Sequence, residues 1–205
     1  MIFGERYYGM LGEMSPWRQS LFALALAQRQ LSNYALWCEV SNIQGGVSAF
    51  TRALKQLWEF HRDKNNHIDL EKVIKDVEPF MLSDEKEDLN LGDLFALDAC
   101  LSIAAAVDAI ILHDGDEAEI VSRASLGGVL RTVEQTVDYD VSDEQLRENE
   151  NVDHEVSFQI ELMELLKKSS RSVELTNKVL DMAYADGASN IGISLEGFAK
   201  QDYTA

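Results

Sequence analysis

Proline is almost missing from this chain: two residues in 205, with twelve glycines. Helix interiors tolerate proline least of all residues, so its scarcity points to long, regular helices. Cysteine is equally scarce. Cys38 and Cys100 stand 62 positions apart with no Cys or His at ligand spacing. That excludes a disulfide framework and points to a reducing compartment, where each thiol packs as a small hydrophobe. Positive charge is the third shortage. Eighteen Lys and Arg face 36 Asp and Glu, for a net charge of −18. The first 62 residues carry +2 and the rest −20. Such a surface repels a polyanion, which argues against nucleic acid as a partner, and the same field disfavours anionic membranes. The acidic excess either keeps the chain soluble or addresses a basic partner.

Signature motifs are missing too. Met1 to Met14 carries Glu5, Arg6 and Glu13 and has no continuous apolar run of the kind a secretion signal needs. No GxxxxGK[ST], GxGxxG or GxSxG occurs. None of His61, His67, His113 and His154 forms an HExxH or ExxH pair. Asp138, Asp140 and Ser142 match the first positions of a calcium loop. Asp143, however, stands where glycine must turn, and Asn149 where a bidentate glutamate closes the site. No metal and no cofactor is therefore expected, and the histidines, at helix ends or in acidic stretches, read as solvated.

Helical periodicity is what the sequence has in quantity. Ser15-Pro16 reads as an N-cap with proline at the first helical position. Trp17, Leu21, Leu24, Gln28 and Leu31 then share one face. Ser32-Asn33 is placed to stop that helix and start another, which ends at Gly45-Gly46. A third helix carries Phe50, Leu54, Leu57, Trp58 and His61, and a short one is capped by Asp69. All three tryptophans (Trp17, Trp37, Trp58) fall at core positions. Leu91 to Leu112 is apolar nearly all round, which marks a central helix packed on several sides. Asp98 and Asp108 interrupt it and are expensive in lipid, so it reads as a buried helix and not a membrane span. Glu117 to Val137 follows, with Gly127-Gly128 either kinking it or admitting a close neighbour. Ser142 and Gln145 form a capping-box pair. A final helix is expected over Asn151 to Asp186, weakest at Ser169-Ser170. Residues 187–205 read as an extended tail, because Ile191, Ile193 and Leu195 alternate with Gly192 and Ser194. That tail lies on the helices or pairs with a copy of itself across a homodimer. The expectation is one all-α domain over residues 1–205, a bundle of seven or eight helices with residues 1–14 as an N-terminal segment.

Four stretches, "NYALWCE" at 33–39, "LWE" at 57–59, "LDACLS" at 97–102 and "SNIGIS" at 189–194, resemble the DUF416 (YjaG-like) family of bacterial proteins, with likeness from about Trp17 to Leu195. The resemblance implies a helical cytoplasmic protein with no established activity, associated with histidine-kinase signalling. It supplies no catalytic residues.

Two features carry the functional reading. Asp98, Ser102 and Asp108 share one polar sector of the apolar helix: Asp108 lies about 80° and Ser102 about 40° to either side of Asp98 at 100° per residue. A buried carboxylate needs a partner. Either a cation such as Arg18, Arg29 or Arg52 supplies one, or the three residues line a polar pocket for a small ligand. Residues 138–161 hold nine acids and one base. They form either a solvated face near a helix N-terminus or a docking surface for a basic partner. The missing catalytic motifs and the uneven charge favour a non-enzymatic interaction or regulatory protein. The alternative is a ligand binder or enzyme built around Asp98 and Asp108.

Overall fold

The computed structural model describes residues 2–63, 66–82, 87–136, 142–185, 187–198 and 200–203. Helices begin where the sequence offers caps. Pro16 opens α2 (Pro16–Arg29) behind Ser15. Asp69 accepts from the Lys72 amide at 3.0 Å to start α5 (Leu70–Val77). Ser142 and Gln145 close their reciprocal box on α8 (Asp143–Arg147). A box not foreseen starts α6 (Leu91–Ile111): the Asp93 amide donates to Asn90 Oδ1 while the Asn90 amide donates to the Asp93 carboxylate. The other helices are α1 (Glu5–Gly12), α3 (Leu31–Val40), α4 (Gly46–Arg62), α7 (Glu117–Gln135), α9 (Glu150–Lys168) and α10 (Val173–Tyr184), with single 3₁₀ turns at Glu78–Phe80 and Lys200–Tyr203. Among the described residues no strand forms, only an isolated bridge between Ala188 and Ser194.

The all-α expectation holds, and among the described residues the count rises from seven or eight to ten for three physical reasons. Residues 1–14 fold into α1, because Tyr7, Tyr8 and Leu11 are buried on its inner face and Phe3 stacks on Tyr7 at 3.9 Å. The expected final helix is two. Arg18 donates to the carbonyls of Leu166 (2.8 Å) and Ser169 (2.9 Å), ending α9, and Ser172 caps α10 through the Leu175 amide at 3.1 Å. The short α8 completes the tally. The α2–α3 break also comes earlier than Ser32-Asn33, at Gln30.

The centre of the bundle is α2 rather than α6. Every residue from Gln19 to Arg29 is buried. Helix α2 packs against α6, α7, α10, α4 and α9, while α9 and α10 lean on α2, α7 and α4 and do not run chiefly along α6. Helix α6 packs on α2, α7, α3 and α5 and keeps one side open to solvent. Its neighbour α7 runs unbroken through Gly127-Gly128. At Gly128 a Cβ would stand 3.4 Å from Asp98 Oδ2 and 3.6 Å from Asn190 Nδ2, so this glycine admits neighbours and makes no kink.

The tail is not extended. It turns at Gly192 (φ 85°), where the Ser189 amide donates to the Ile193 carbonyl at 2.7 Å, and it buries Leu195 and Tyr203. The turn satisfies its own backbone, which removes the motive for strand pairing with a second copy.

Candidate functional site

Asp98 and Ser102 are buried on α6, and Asp108 is half-buried. The cation beside Asp98 is Arg131 of α7; Arg18, Arg29 and Arg52 are not its partners. Burial pushes the Asp98 carboxyl up to about 7 in spite of the adjacent Arg131 guanidinium. Ser102 Oγ donates to the Asp98 carbonyl at 2.8 Å and accepts from Gln30 Nε2 at 2.9 Å. Asp108 stands ten residues beyond Asp98, about 15 Å along the axis. Its carboxyl is raised by burial and by the charges of Glu117 and Asp114. The three residues thus share a sector and do not converge on one point. The clefts near them draw on other side chains. One of about 210 Å³ between α3 and the start of α6 is lined by Asn33, Trp37, Asn90 and Phe95, and one of about 170 Å³ by Gln19, Ala109, His113 and Glu117.

A larger polar assembly, which no sequence motif marks, lies in the interior. Gln159 of α9 accepts from Tyr7 (3.2 Å) and Ser122 (2.5 Å) and donates to Glu155 (2.7 Å). Glu155 also accepts from Ser125 at 2.6 Å and lies 3.6 Å from Arg29 Nη2. Asn190 of the tail donates to Ser125 and accepts from Asn33 at 2.8 Å. The chain of bonds ties α1, α2, α3, α7, α9 and the tail together. Asn33 and Asn190 come from two of the stretches that carry the family resemblance, so these distant pieces of sequence meet in space. No periodicity could have paired them, because each sits singly on its own element.

His61 is a correction: it is buried, not solvated. Its Nε2 lies 2.9 Å from Ser20 Oγ, the spacing of a nucleophile and its base. The Ser20 hydroxyl donates to the Ala106 carbonyl at 2.5 Å, however, and both side chains are sealed from solvent. Burial, with the Arg171 charge behind it, depresses the imidazole to about 3. Buried between α2, α4 and α6, the pair ties these helices together, and burial weakens the imidazole as a base. His67, His113 and His154 are exposed.

The remaining expectations resolve simply. Trp58 and Trp37 are buried, donating to Gln28 (2.8 Å) and Asp93 (2.9 Å), while Trp17 is half-buried. Both cysteines are free and buried. No cluster of three metal-ligating side chains occurs among the described residues. Asp138 and Asp140 lie outside them.

The one feature of α6 that its neighbours leave unsatisfied is its outer face. Helix α6 is long and apolar enough to cross a membrane by length and composition, yet only 56% of its most apolar window is buried. Leu97 (42%), Leu101 (38%), Ile111 (41%) and Leu112 (57%) are exposed. These side chains lie on the side of α6 that no other helix among the described residues covers.

Comparison with known proteins identifies relatives of the same fold and assigns them no chemistry. The family model described as "Protein of unknown function (DUF416)" matches residues 7–194. An uncharacterized protein of Haemophilus influenzae is 29% identical over 185 residues, 89% of this chain and 94% of its own length. The uncharacterized protein YjaG of Escherichia coli K12 is 28% identical, over 89% of this chain and 93% of its own. The crystal structure of a DUF416 family protein from Shewanella baltica OS155 matches with a TM-score of 0.78 at 27% identity, covering 92% of this chain and 98% of that one.

Proposed function

We propose that this chain, which belongs to the DUF416 family of proteins of unknown function, is a non-enzymatic interaction protein that docks through the outer face of α6. The observation that carries the reading is the open row of Leu97, Leu101 and Ile111 on the chain's most apolar helix, whose other sides are packed. Leaving large aliphatic side chains in water forgoes about 25 cal/mol for every Å² that a partner would cover. The closed state of the candidate polar groups supports the same reading: Asp98 is held by Arg131, and Ser20 and His61 are sealed. A regulatory setting such as histidine-kinase signalling, implied by the family resemblance, suits a docking protein of this kind. The two free, buried thiols suit a reducing cytoplasm.

Affinity capture with immobilised chain tests the proposal. Wild type retains a specific protein, another species or free copies of the chain itself, and the double variant Leu97→Glu/Leu101→Glu, helical by circular dichroism, does not. Equal retention by the two baits, or none by either, contradicts it.

A further inference from the structure

The outer face of α6 has a period. Leu94, Leu97, Leu101, Ala104, Asp108 and Ile111 follow one another at steps of 3, 4, 3, 4 and 3. That spacing is the 3.5-residue seam along which two helices pack side by side. Each of these residues is exposed or half-buried, whereas Ala96, Ala99, Cys100, Ile103, Ala106 and Val107 face the protein's interior. The seam is about 26 Å long, five turns of helix.

Charge decides what fits it. The chain as a whole carries −18, which drives copies apart almost everywhere. Between residues 94 and 111 the outer face bears a single charge in its row, Asp108, and the neighbouring Asp98 is already held by Arg131. Asp108 has no cation within ion-pairing distance among the described residues, and its charged neighbours are Glu117 and Asp114. Arg131 is half-exposed at the edge of the same row, at the level of Asp98. One end of the seam thus has an acid without a cation, and the other has a guanidinium, paired with Asp98, that keeps part of its surface open to a second carboxylate.

We infer that the occupant of this face is a second copy of the chain, with the two α6 helices antiparallel and crossing between Leu101 and Ala104. In that arrangement residue 94 of one copy lies level with 111 of the other, 101 with 104, and 108 with 97. Asp108 of each copy then comes beside the other copy's Asp98–Arg131 pair, and the contact repeats by two-fold symmetry. A parallel pairing sets Asp108 against Asp108 and is rejected by charge. The inference rests on the docking reading above. Five turns of one helix make an interface at the small end of the range for specific complexes, so the dimer is reversible and its mass rises with concentration.

Light scattering and cross-linking of the full chain test this together. Wild type approaches twice 23.0 kDa as concentration rises. Leu101→Glu stays at the monomer mass, and Asp108→Lys dissociates about tenfold more readily, the loss of a modest interfacial contribution. Chains carrying Leu94→Cys and Ile111→Cys, mixed and oxidised, join 94 to 111, while neither forms covalent dimers alone, since like positions are about 25 Å apart along the seam. Monomer mass at every concentration overturns the inference, as does a monomer that co-floats with phosphatidylcholine vesicles. Cross-linking of 94 to 94 or of 111 to 111 overturns the antiparallel arrangement, and a dimer indifferent to Leu101→Glu overturns the choice of face. A monomer that fails here but whose wild-type bait still captures a different protein separates failure of the dimer from failure of the docking reading.

Discussion

Two buried groups give the protein opposed responses to pH. The folded chain holds the Asp98 proton up to about pH 7, against the ordinary carboxyl value of 3.8. Folded protein therefore binds that proton more tightly between the two, and the stability it brings is complete below 3.8 and lost as pH rises through 7. His61 runs the other way, because its pKa falls from 6.5 to about 3 on folding. Its contribution is complete above 6.5 and lost as pH falls towards 3. Between 3.8 and 6.5 the slopes, each roughly 1 kcal/mol per pH unit, offset one another. Urea unfolding should accordingly show Asp98→Asn losing stability from pH 6.5 to 4.5 and His61→Gln gaining it, relative to wild type. Parallel curves for all three proteins would refute the assignment. Gly46 supplies a steric counterpart. A Cβ there would stand 2.8 Å from Cys38 Sγ and 3.0 Å from the Tyr34 hydroxyl, which is itself committed to the Phe80 carbonyl at 2.7 Å. Gly46→Ala should cost about 1–3 kcal/mol in thermal or urea unfolding. Much of that cost should vanish in a Cys38→Ala background, because the two changes share one space. That Asp98 needed a cation was legible from its place in an apolar helix. Which cation it found was not, because Arg131 lies 33 positions away on a helix whose facing surface depends on Gly128.

At the scale of elements, caps and apolar rows were the readable part. Pro16, Asp69 and Ser142 begin helices as their local chemistry dictates. Asn90 follows a run of acids, Asp84, Glu85, Glu87 and Asp88, in which a neutral cap does not stand out, although its side chain and that of Asp93 close a reciprocal box on α6. Asn90→Ala should destabilise the protein by about 1 kcal/mol, read as a lower urea midpoint with unchanged slope; no change would mean that packing alone starts α6. The break between α9 and α10 was visible only as a weak point at Ser169-Ser170, since its cause is remote: the Arg18 guanidinium binding the Leu166 and Ser169 carbonyls. Arg18→Ala should speed amide exchange in the last turn of α9 and leave its first turn unchanged, whereas uniform exchange would show that the serines end the helix unaided. Helix α2 was undervalued for a related reason. Gln19 and Ser20 are polar, yet each is buried with a partner outside α2, the carbonyls of Met14 and Ala106 respectively, and Gln28, on the packed face, donates to Tyr184. Hydrogen bonding makes neutral polar groups affordable inside, and a binary pattern of apolar and polar residues cannot register it.

Across the whole molecule, the interior is completed by polar bonds as well as by apolar packing. The network from Tyr7 through Gln159, Glu155 and Ser125 to Asn190 and Asn33 fixes the tail and the first helix to the same place. With the interior so closed, the open apolar row on α6 has no packing role in the fold, and the proposed docking accounts for it. The sequence shows that α6 is apolar nearly all round. It cannot show which side the other helices leave uncovered, because that depends on α2 taking the centre. The direct measurement is carbene footprinting of Leu97 and Leu101, comparing dilute purified protein with the same protein in concentrated native extract. The account predicts that labelling of both residues falls in the extract while labelling of exposed Val173 on α10 stays constant. Undiminished labelling of Leu97 and Leu101 would contradict it.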